Sequence, residues 1–96
     1  MNVVARRTLK EFWIRHAEAR APLDAWYRLC VAADFDCFAD VKTKFRSVDQ
    51  VKDKLVFNIG GNNFRLVCGI NYRRRHMWIK WVGTHAEYSK LDVSSL

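Results

Sequence analysis

The stretch 54-KLVFNIGGNNFRLVCGINYRRRHMWIKWVGT-84 decides the fold of this chain. It contains three runs in which apolar side chains recur at every second position, and the turn-forming segments "GGNN" at 60–63 and "RRR" at 73–75 separate these runs. Period-2 alternation is typical of strands with one buried face, and short connections join antiparallel neighbours. The stretch therefore predicts three consecutive antiparallel strands.

The alternation assigns the side chains of this sheet to two faces. The first face is apolar in unbroken register, so we expect it to cover helices. Its members are Leu55, Phe57, Ile59, Phe64, Leu66, Cys68, Ile70, Met77, Ile79 and Trp81. The second face mixes cationic, polar and aromatic side chains, and it receives Lys54, Val56, Asn58, Arg65, Val67, Gly69, Asn71, His76, Trp78, Lys80 and Val82. Such a face is either an ordinary solvated surface or a binding surface.

The residues before these strands predict a helical layer. Residues 2–5, "NVVA", suit a short opening strand. Thr8 and Glu11 form a capping-box pattern for a first helix, and Pro22 suits the first turn of a second. Asp36 is expected to cap a short third helix. The predicted fold class is therefore α+β, with N-terminal helices packed on one face of an antiparallel sheet.

The chain is short and apolar enough for one core. Its 96 residues are expected to form a single domain, 1–96, and the hydrophobic half of the composition argues against disorder. No apolar run approaches the ~18 residues of a membrane span, and the N-terminus lacks a signal-peptide pattern. We therefore expect a cytoplasmic protein with no membrane partner.

The net charge indicates the class of partner, and the cysteines indicate whether a metal site is present. The 17 Lys and Arg exceed the 10 Asp and Glu, which gives a net charge of +7 and favours nucleic acid or an acidic protein as partner. Cys30, Cys37 and Cys68 lie far apart and form neither a CxxC motif nor a Cys/His cluster. We expect small core side chains at these positions, no metal site and no cofactor.

The second face offers the groups that hold RNA. Arg65 and Lys80 are expected to hold phosphates, and Trp78 is placed to stack on a base, with Gly69 leaving room between them. The "RRR" hairpin, Arg73 to Arg75, is either a solvated turn or a phosphate anchor.

His85 and Tyr88 follow the last strand. A histidine with its usual pKa of about 6.5 exchanges protons at neutral pH, so His85 is a candidate general acid or base. If the segment after it turns as a short helix, Tyr88 lies beside His85 and can orient the ribose, stack on a base or share in proton transfer. Glu87 and Asp92 are expected to act as structural caps or in salt bridges, because RNA phosphates repel carboxylates.

The chain resembles the HigB toxins of bacterial toxin–antitoxin modules, within the RelE-like superfamily. The resemblance covers nearly the whole chain, through "TLKEFW", "APLDAWY" and the segment from "VFNIGGNNFRLV" through "INYRRR" to "WVGTHAEYSKLD". It implies a ribosome-dependent endoribonuclease that cuts mRNA, inhibits translation and is neutralised by a HigA-like helix-turn-helix antitoxin. Arg65 matches the central-strand arginine of RelE-like nucleases, and His85 stands where RelE has an arginine. Asn58 lies near the position of RelE lysines.

Together the residues and the resemblance define a site on the second face. The predicted catalytic residues are His85, Tyr88, Arg65 and Lys80. The predicted RNA-binding residues are Lys54, Asn58, Asn71, Arg73, Arg74, Arg75 and Trp78. Cleavage is expected to be metal-independent, with the RNA 2′-hydroxyl attacking the neighbouring phosphate. Two rival functions remain: a gyrase-inhibiting toxin of the same fold, and a non-enzymatic RNA-binding module.

Overall fold

The computed structural model describes residues 1–96 and contains five strands and four α-helices. In chain order they are β1 Asn2–Val4, α1 Arg6–Arg15, α2 Arg20–Ala32, α3 Phe38–Lys44, β2 Asp49–Val51, β3 Lys54–Ile59, β4 Phe64–Asn71, β5 His76–Thr84 and α4 His85–Tyr88. Short 3-10 helices occupy Ala17–Ala19 and Val93–Ser95. None of the helices is both long and apolar enough to cross a bilayer.

The five strands form one sheet in the order β1-β5-β4-β3-β2. The three predicted strands are its centre, and they pair antiparallel through the predicted turns. Gly60 and Gly61 permit the first turn, because their φ angles of +61° and +69° lie in the left-handed region. The opening strand predicted at 2–5 is also present, but it pairs parallel with β5, so the sheet is mixed.

The helices cover the first face, as the alternation predicts. Leu9 and Phe12 of α1 and Trp26 of α2 are buried against the sheet, where Trp26 meets Phe57 edge to face at 5.3 Å between ring centroids. Leu66 of β4 is fully buried in the same cluster. The α+β fold class is thereby confirmed.

The unbroken register was wrong at one point in β5. Val67 pairs with Trp81 but the next residue, Cys68, pairs with Ile79, so a β-bulge leaves Lys80 without a partner across β4. The bulge shifts the alternation by one residue. Trp81 consequently joins the second face, and Val82 packs against the core.

Two predicted helix caps were also wrong. Helix α1 begins directly after Ala5 with no side-chain cap, so Thr8 lies inside the helix and Glu11 pairs with Arg7 instead. Helix α3 follows Cys37, again without a side-chain cap. Asp36 is used elsewhere, in an ion pair with Arg75.

The second face is only partly solvated, contrary to expectation. Val56 and Val67, on neighbouring strands, are buried beneath Val93, and Leu91 and Leu96 pack against the same cluster. The segment after α4, residues 89–96, therefore crosses the sheet as a cover over its middle. We call this segment the C-terminal strap.

The cysteines divide between core and surface. Cys30 and Cys68 are buried as predicted, and burial raises the pKa of the Cys30 thiol to about 12. Cys37 is exposed, so its assignment to the core was wrong. It stands in the connection before α3, where no element covers it.

Candidate nucleic-acid interface

The second face carries two groups of functional side chains, one on each side of the strap. The Arg65 cluster consists of Arg65, His85 and Tyr88 and lies where β4 begins and β5 ends. The Lys54 pocket is a cavity of about 330 Å³ farther along the sheet. Its walls include Asp53, Lys54, Gly69, Trp78, Lys80 and Leu96.

Arg65 is buried without a charged partner. The residue is 8% exposed, and none of the six ion pairs in the chain includes it. Its guanidinium instead donates to backbone oxygens of Asn62 and Phe64, at 3.2 and 3.1 Å, and to the Asn62 side-chain oxygen at 2.6 Å. Burying an unpaired cation costs free energy. The site therefore holds a positive charge in a fixed position and leaves it electrostatically unsatisfied.

Tyr88 lies against this guanidinium. The Arg65 Cζ atom stands 5.8 Å from the centroid of the Tyr88 ring, which is a cation–π distance. Trp81 supports the ring from another side, with centroids 6.1 Å apart. The bulge in β5 makes this contact possible, because it brings Trp81 onto the second face.

A capping box presents His85 and Tyr88. The Thr84 backbone N–H donates to Glu87 Oε1 at 2.8 Å, and the Glu87 backbone N–H donates to Thr84 Oγ1 at 3.2 Å. The first of these bonds is the main reason that the pKa of the Glu87 carboxyl is lowered. The box starts α4 at His85, whose backbone N–H donates to Asn63 O at 3.0 Å and whose side chain is exposed. Glu87 is the predicted structural cap.

Gly83 leaves room for this arrangement. A Cβ atom there would lie 2.5 Å from the Trp81 ring and 3.0 Å from Glu87 Oε1. Any larger residue would push apart the aromatic support of Tyr88 and the capping box. The glycine before the last strand residue is thus required by the packing of the Arg65 cluster.

The Lys54 pocket is also cationic but differently built. Lys54 is 6% exposed, and its ammonium donates to Asp53 Oδ1 at 2.9 Å. Lys80 has no cross-strand partner because of the bulge, and its side chain lies next to Gly69. It forms no ion pair and no side-chain hydrogen bond. Trp78 is 37% exposed, and His76 stacks on it with ring centroids 5.6 Å apart.

The two groups are separated along the sheet. Gly69, the floor of the pocket, lies four residues beyond Arg65 on β4, or about 13 Å at ~3.3 Å per residue. Val67 and the strap lie between them. Of the four predicted catalytic residues, the structure thus packs Tyr88 against Arg65, places His85 at the start of α4 through its backbone bond to Asn63, and places Lys80 with Lys54 and Trp78.

The other predicted RNA-binding residues are dispersed. Asn58 is exposed and pairs across the strands with Arg65. Asn71 Oδ1 accepts the backbone N–H of Arg74 at 3.0 Å and so shapes the hairpin turn. Arg73 and Arg74 are exposed at that turn. Arg75 is instead engaged by the α2–α3 connection, through Asp34 at 3.1 Å, Asp36 at 2.6 Å and the Phe35 carbonyl.

Several site residues were missed in the sequence. Asn62 was interpreted only as turn chemistry, although it holds the Arg65 guanidinium. Asp53 was passed over in a polar stretch, although it is the partner of Lys54. The Thr84–Glu87 box was visible as a second T-x-x-E pattern after the one at Thr8.

The potential metal ligands of the chain are dispersed as well. No three His, Cys, Asp or Glu side chains come together in a group that could hold an ion. Asp92, near the strap's centre, caps the 3-10 helix that follows it, where Oδ1 accepts from the Ser94 backbone N–H at 3.2 Å. The expectation that Asp92 is a structural cap is therefore confirmed.

Residues 19–91 match the family model of HigB toxins, described as the RelE-like toxic component of a toxin–antitoxin system. The chain is 28% identical over 94 residues to the mRNA interferase HigB of Escherichia coli O6:H1, covering 95% of this chain and 91% of that relative. It is 30% identical over 91 residues to the mRNA interferase toxin HigB of E. coli K12, covering 92% and 88% of the two chains. The HigB of Shigella flexneri shows the same identity and coverage.

Proposed function

The chain belongs to the HigB family of RelE-like toxins, and we propose that it is an mRNA interferase that cuts mRNA on the ribosome and thereby inhibits translation. Its relatives support the activity, since they are known as mRNA interferases. The dependence on the ribosome is part of the proposal. The whole chain, 1–96, acts as one toxin domain in the cytoplasm, where both mRNA and ribosomes are found.

One observation carries the proposal: the buried guanidinium of Arg65 has no carboxylate partner and lies beside Tyr88 and the start of α4. An anion bound there would compensate the unpaired buried charge of Arg65. The scissile phosphate of RNA is such an anion, and its negative charge increases as the phosphorane forms. Arg65 is therefore the electrostatic centre of the proposed active site.

The chemistry uses the 2′-hydroxyl of the RNA itself. This hydroxyl loses its proton and attacks the adjacent phosphorus, the bond to the 5′-oxygen of the next nucleotide breaks, and that oxygen takes up a proton. The products are a 2′,3′-cyclic phosphate and a 5′-hydroxyl. His85 exchanges one of these protons, Tyr88 orients the ribose or serves the other, and no metal ion takes part.

The partners follow from this assignment. A HigA-like helix-turn-helix antitoxin neutralises the toxin, and membership of a toxin–antitoxin family supports an antitoxin partner. The ribosome supplies the mRNA. Arg73 and Arg74, exposed on a hairpin of a chain with net charge +7, are free to contact ribosomal RNA phosphates.

The test is cleavage of a defined mRNA, measured with and without translating ribosomes. We expect cutting by the wild-type protein only when ribosomes are present. His85→Ala should reduce the rate about 10²-fold or more, the usual loss for a general acid or base. Lys90→Ala, an exposed residue just after α4, is the matched control and should cut normally. Absence of cutting by the wild type would contradict the interferase assignment, and full activity of a folded His85→Ala protein would remove His85 from the mechanism.

A further inference from the structure

The Lys54 pocket is chemically unlike the Arg65 cluster. It joins an aromatic ring, two ammonium groups and one carboxylate around a floor that has no side chain, at Gly69. Lys54 uses one donor for Asp53, and this hydrogen bond is the main cause of the lowered pKa of Asp53. Lys80, whose charge also helps to lower that pKa, makes no side-chain hydrogen bond or ion pair of its own. An ammonium has three donors, so the pocket presents unused donors around a cavity of about 330 Å³.

The aromatic wall is fixed before any ligand arrives. His76 stacks on Trp78 with an angle of 21° between the rings. His76 is itself held by the Arg74 carbonyl at 3.0 Å and by the Asn2 side chain at 2.9 Å. The Trp78 ring therefore keeps its orientation and remains partly exposed, as a stacking platform requires.

We propose that the Lys54 pocket binds one nucleotide of the RNA substrate, with its base on Trp78 and its phosphate between Lys54 and Lys80, and that Asp53 selects the base. This subsite deepens the proposed function and rests on it. It lies about 13 Å from Arg65, at ~3.3 Å per strand residue, so the bound nucleotide is not the one whose phosphodiester is cut.

Asp53 gives the pocket its selectivity. Asp53 lines the cavity at its open side, with a side chain that is 82% exposed, and its carboxylate only accepts hydrogen bonds. Adenine, cytosine and guanine each offer an exocyclic amino group, whereas uracil has none. Uracil offers this carboxylate only its N3–H, which is flanked by two carbonyl oxygens that repel the carboxylate, so the pocket disfavours uridine.

The first experiment maps cut sites across a long mRNA in a translating system. For the wild type we expect uridine to be depleted at one fixed position away from the cleaved bond. Asp53→Asn retains an oxygen for Lys54 and adds an N–H donor for uracil, so uridine at that position should rise at least about fivefold. Lys10→Gln, on exposed α1, is the charge control and should leave the profile unchanged.

The second experiment measures binding of an uncleavable 2′-O-methyl hexanucleotide to the free protein. Trp78→Ala and Lys80→Gln should each weaken binding about tenfold, and Trp78→Phe should restore most of it. Gly69→Ala should weaken binding while the protein stays folded, because its added methyl group would meet Trp78 and Lys80 at 3.6 and 3.7 Å, ordinary contact distances.

The outcomes separate the subsite from the activity. If the wild type cuts mRNA and Asp53→Asn leaves the cut-site profile unchanged, the proposed subsite is wrong. It is also wrong if Trp78→Ala and Lys80→Gln bind the hexanucleotide normally. In either case, cutting by the wild type still supports the interferase activity. If the wild type cuts nothing and these two variants still lose hexanucleotide binding, the nucleotide pocket stands and the interferase is wrong.

Discussion

Arg65 combines near-complete burial with the absence of an anionic partner. The alternation in β4 predicted its face, but not its burial, because the neighbours that cover it come from the 60–63 turn and from α4. The Asn62 contact lies only three residues away but depends on how the turn directs its side chain, and the Tyr88 contact comes from a distant segment, so the alternation reveals neither. A residue that was expected to hold a phosphate on an open face is therefore a buried charge, only 8% exposed.

Arg65→Met tests this residue directly. The substitution keeps much of the side-chain volume and removes the unpaired charge, so the free energy of unfolding should stay the same or rise by up to about 2 kcal/mol. Cleavage should fall at least about 10²-fold, as for loss of an oxyanion donor. Denaturant melts and single-turnover cleavage measure the two effects.

The neighbouring residue provides the contrast. Leu66→Ala, on the core face, should cost about 2 to 5 kcal/mol of unfolding free energy. An Arg65→Met protein destabilised as strongly as Leu66→Ala would mean that Arg65 is a structural residue.

At the level of elements, α4 is the shortest α-helix and carries His85 and Tyr88. Its capping box is expected to stabilise it, since four residues provide little helical stability by themselves. The pattern T-x-x-E occurs twice in the chain, and only the second instance caps a helix. At Thr8 the helix has already started two residues earlier, at Arg6, so the backbone N–H of Thr8 donates to the Ala5 carbonyl inside the first turn. The same four-residue pattern therefore has different roles at its two positions.

Thr84→Ala should therefore reduce cleavage, whereas Thr8→Ala should not. Loss of the cap costs about 1 kcal/mol locally and releases His85 and Tyr88 from their positions. Glu87→Gln should retain activity, because its amide oxygen also accepts the Thr84 N–H. Cleavage assays and hydrogen exchange over residues 84–90 provide the measurement, and equal effects of the two threonines would contradict the assignment.

The same cap carries a pH dependence with a defined sign. The pKa of Glu87 is lowered in the folded chain. The ionised carboxylate therefore contributes its full stabilisation of α4 above the ordinary carboxyl pKa of 4.5, and this stabilisation is lost as the pH falls through the lowered value. Exchange protection of α4 should thus decrease in acid in the wild type. The Glu87→Gln protein should show no such change.

At the level of the whole molecule, some cationic side chains are exposed to solvent and others form ion pairs that hold the fold together. The sequence predicted a cationic hairpin, and the structure divides its three arginines. Arg73 and Arg74 are exposed, but Arg75 ties the hairpin to the α2–α3 connection through Asp34 and Asp36. The ion pairs raise the pKa of the Arg75 guanidinium, with the Asp36 hydrogen bond as the main cause. Sequence alone did not reveal this division, because the acidic partners lie about 40 residues away.

Ribosome binding should respond differently to the three substitutions. Arg73→Gln and Arg74→Gln should each flatten the dependence of log K on log salt by about one unit, one lost phosphate contact apiece. Arg75→Gln should mainly lower the melting temperature and change the slope little. If Arg75→Gln flattened the salt dependence and Arg73→Gln and Arg74→Gln did not, Arg75 would be the phosphate contact and the other two would not.

The parallel pairing of β1 with β5 has a consequence for synthesis. Residues 2–4 find their partners only at residues 76–78, so β1 leaves the ribosome long before it can enter the sheet. His85 and Tyr88 follow later still. A nascent chain that ends before these residues therefore has neither a closed sheet nor an assembled Arg65 cluster. An unfinished chain therefore lacks the side chains on which the proposed activity depends.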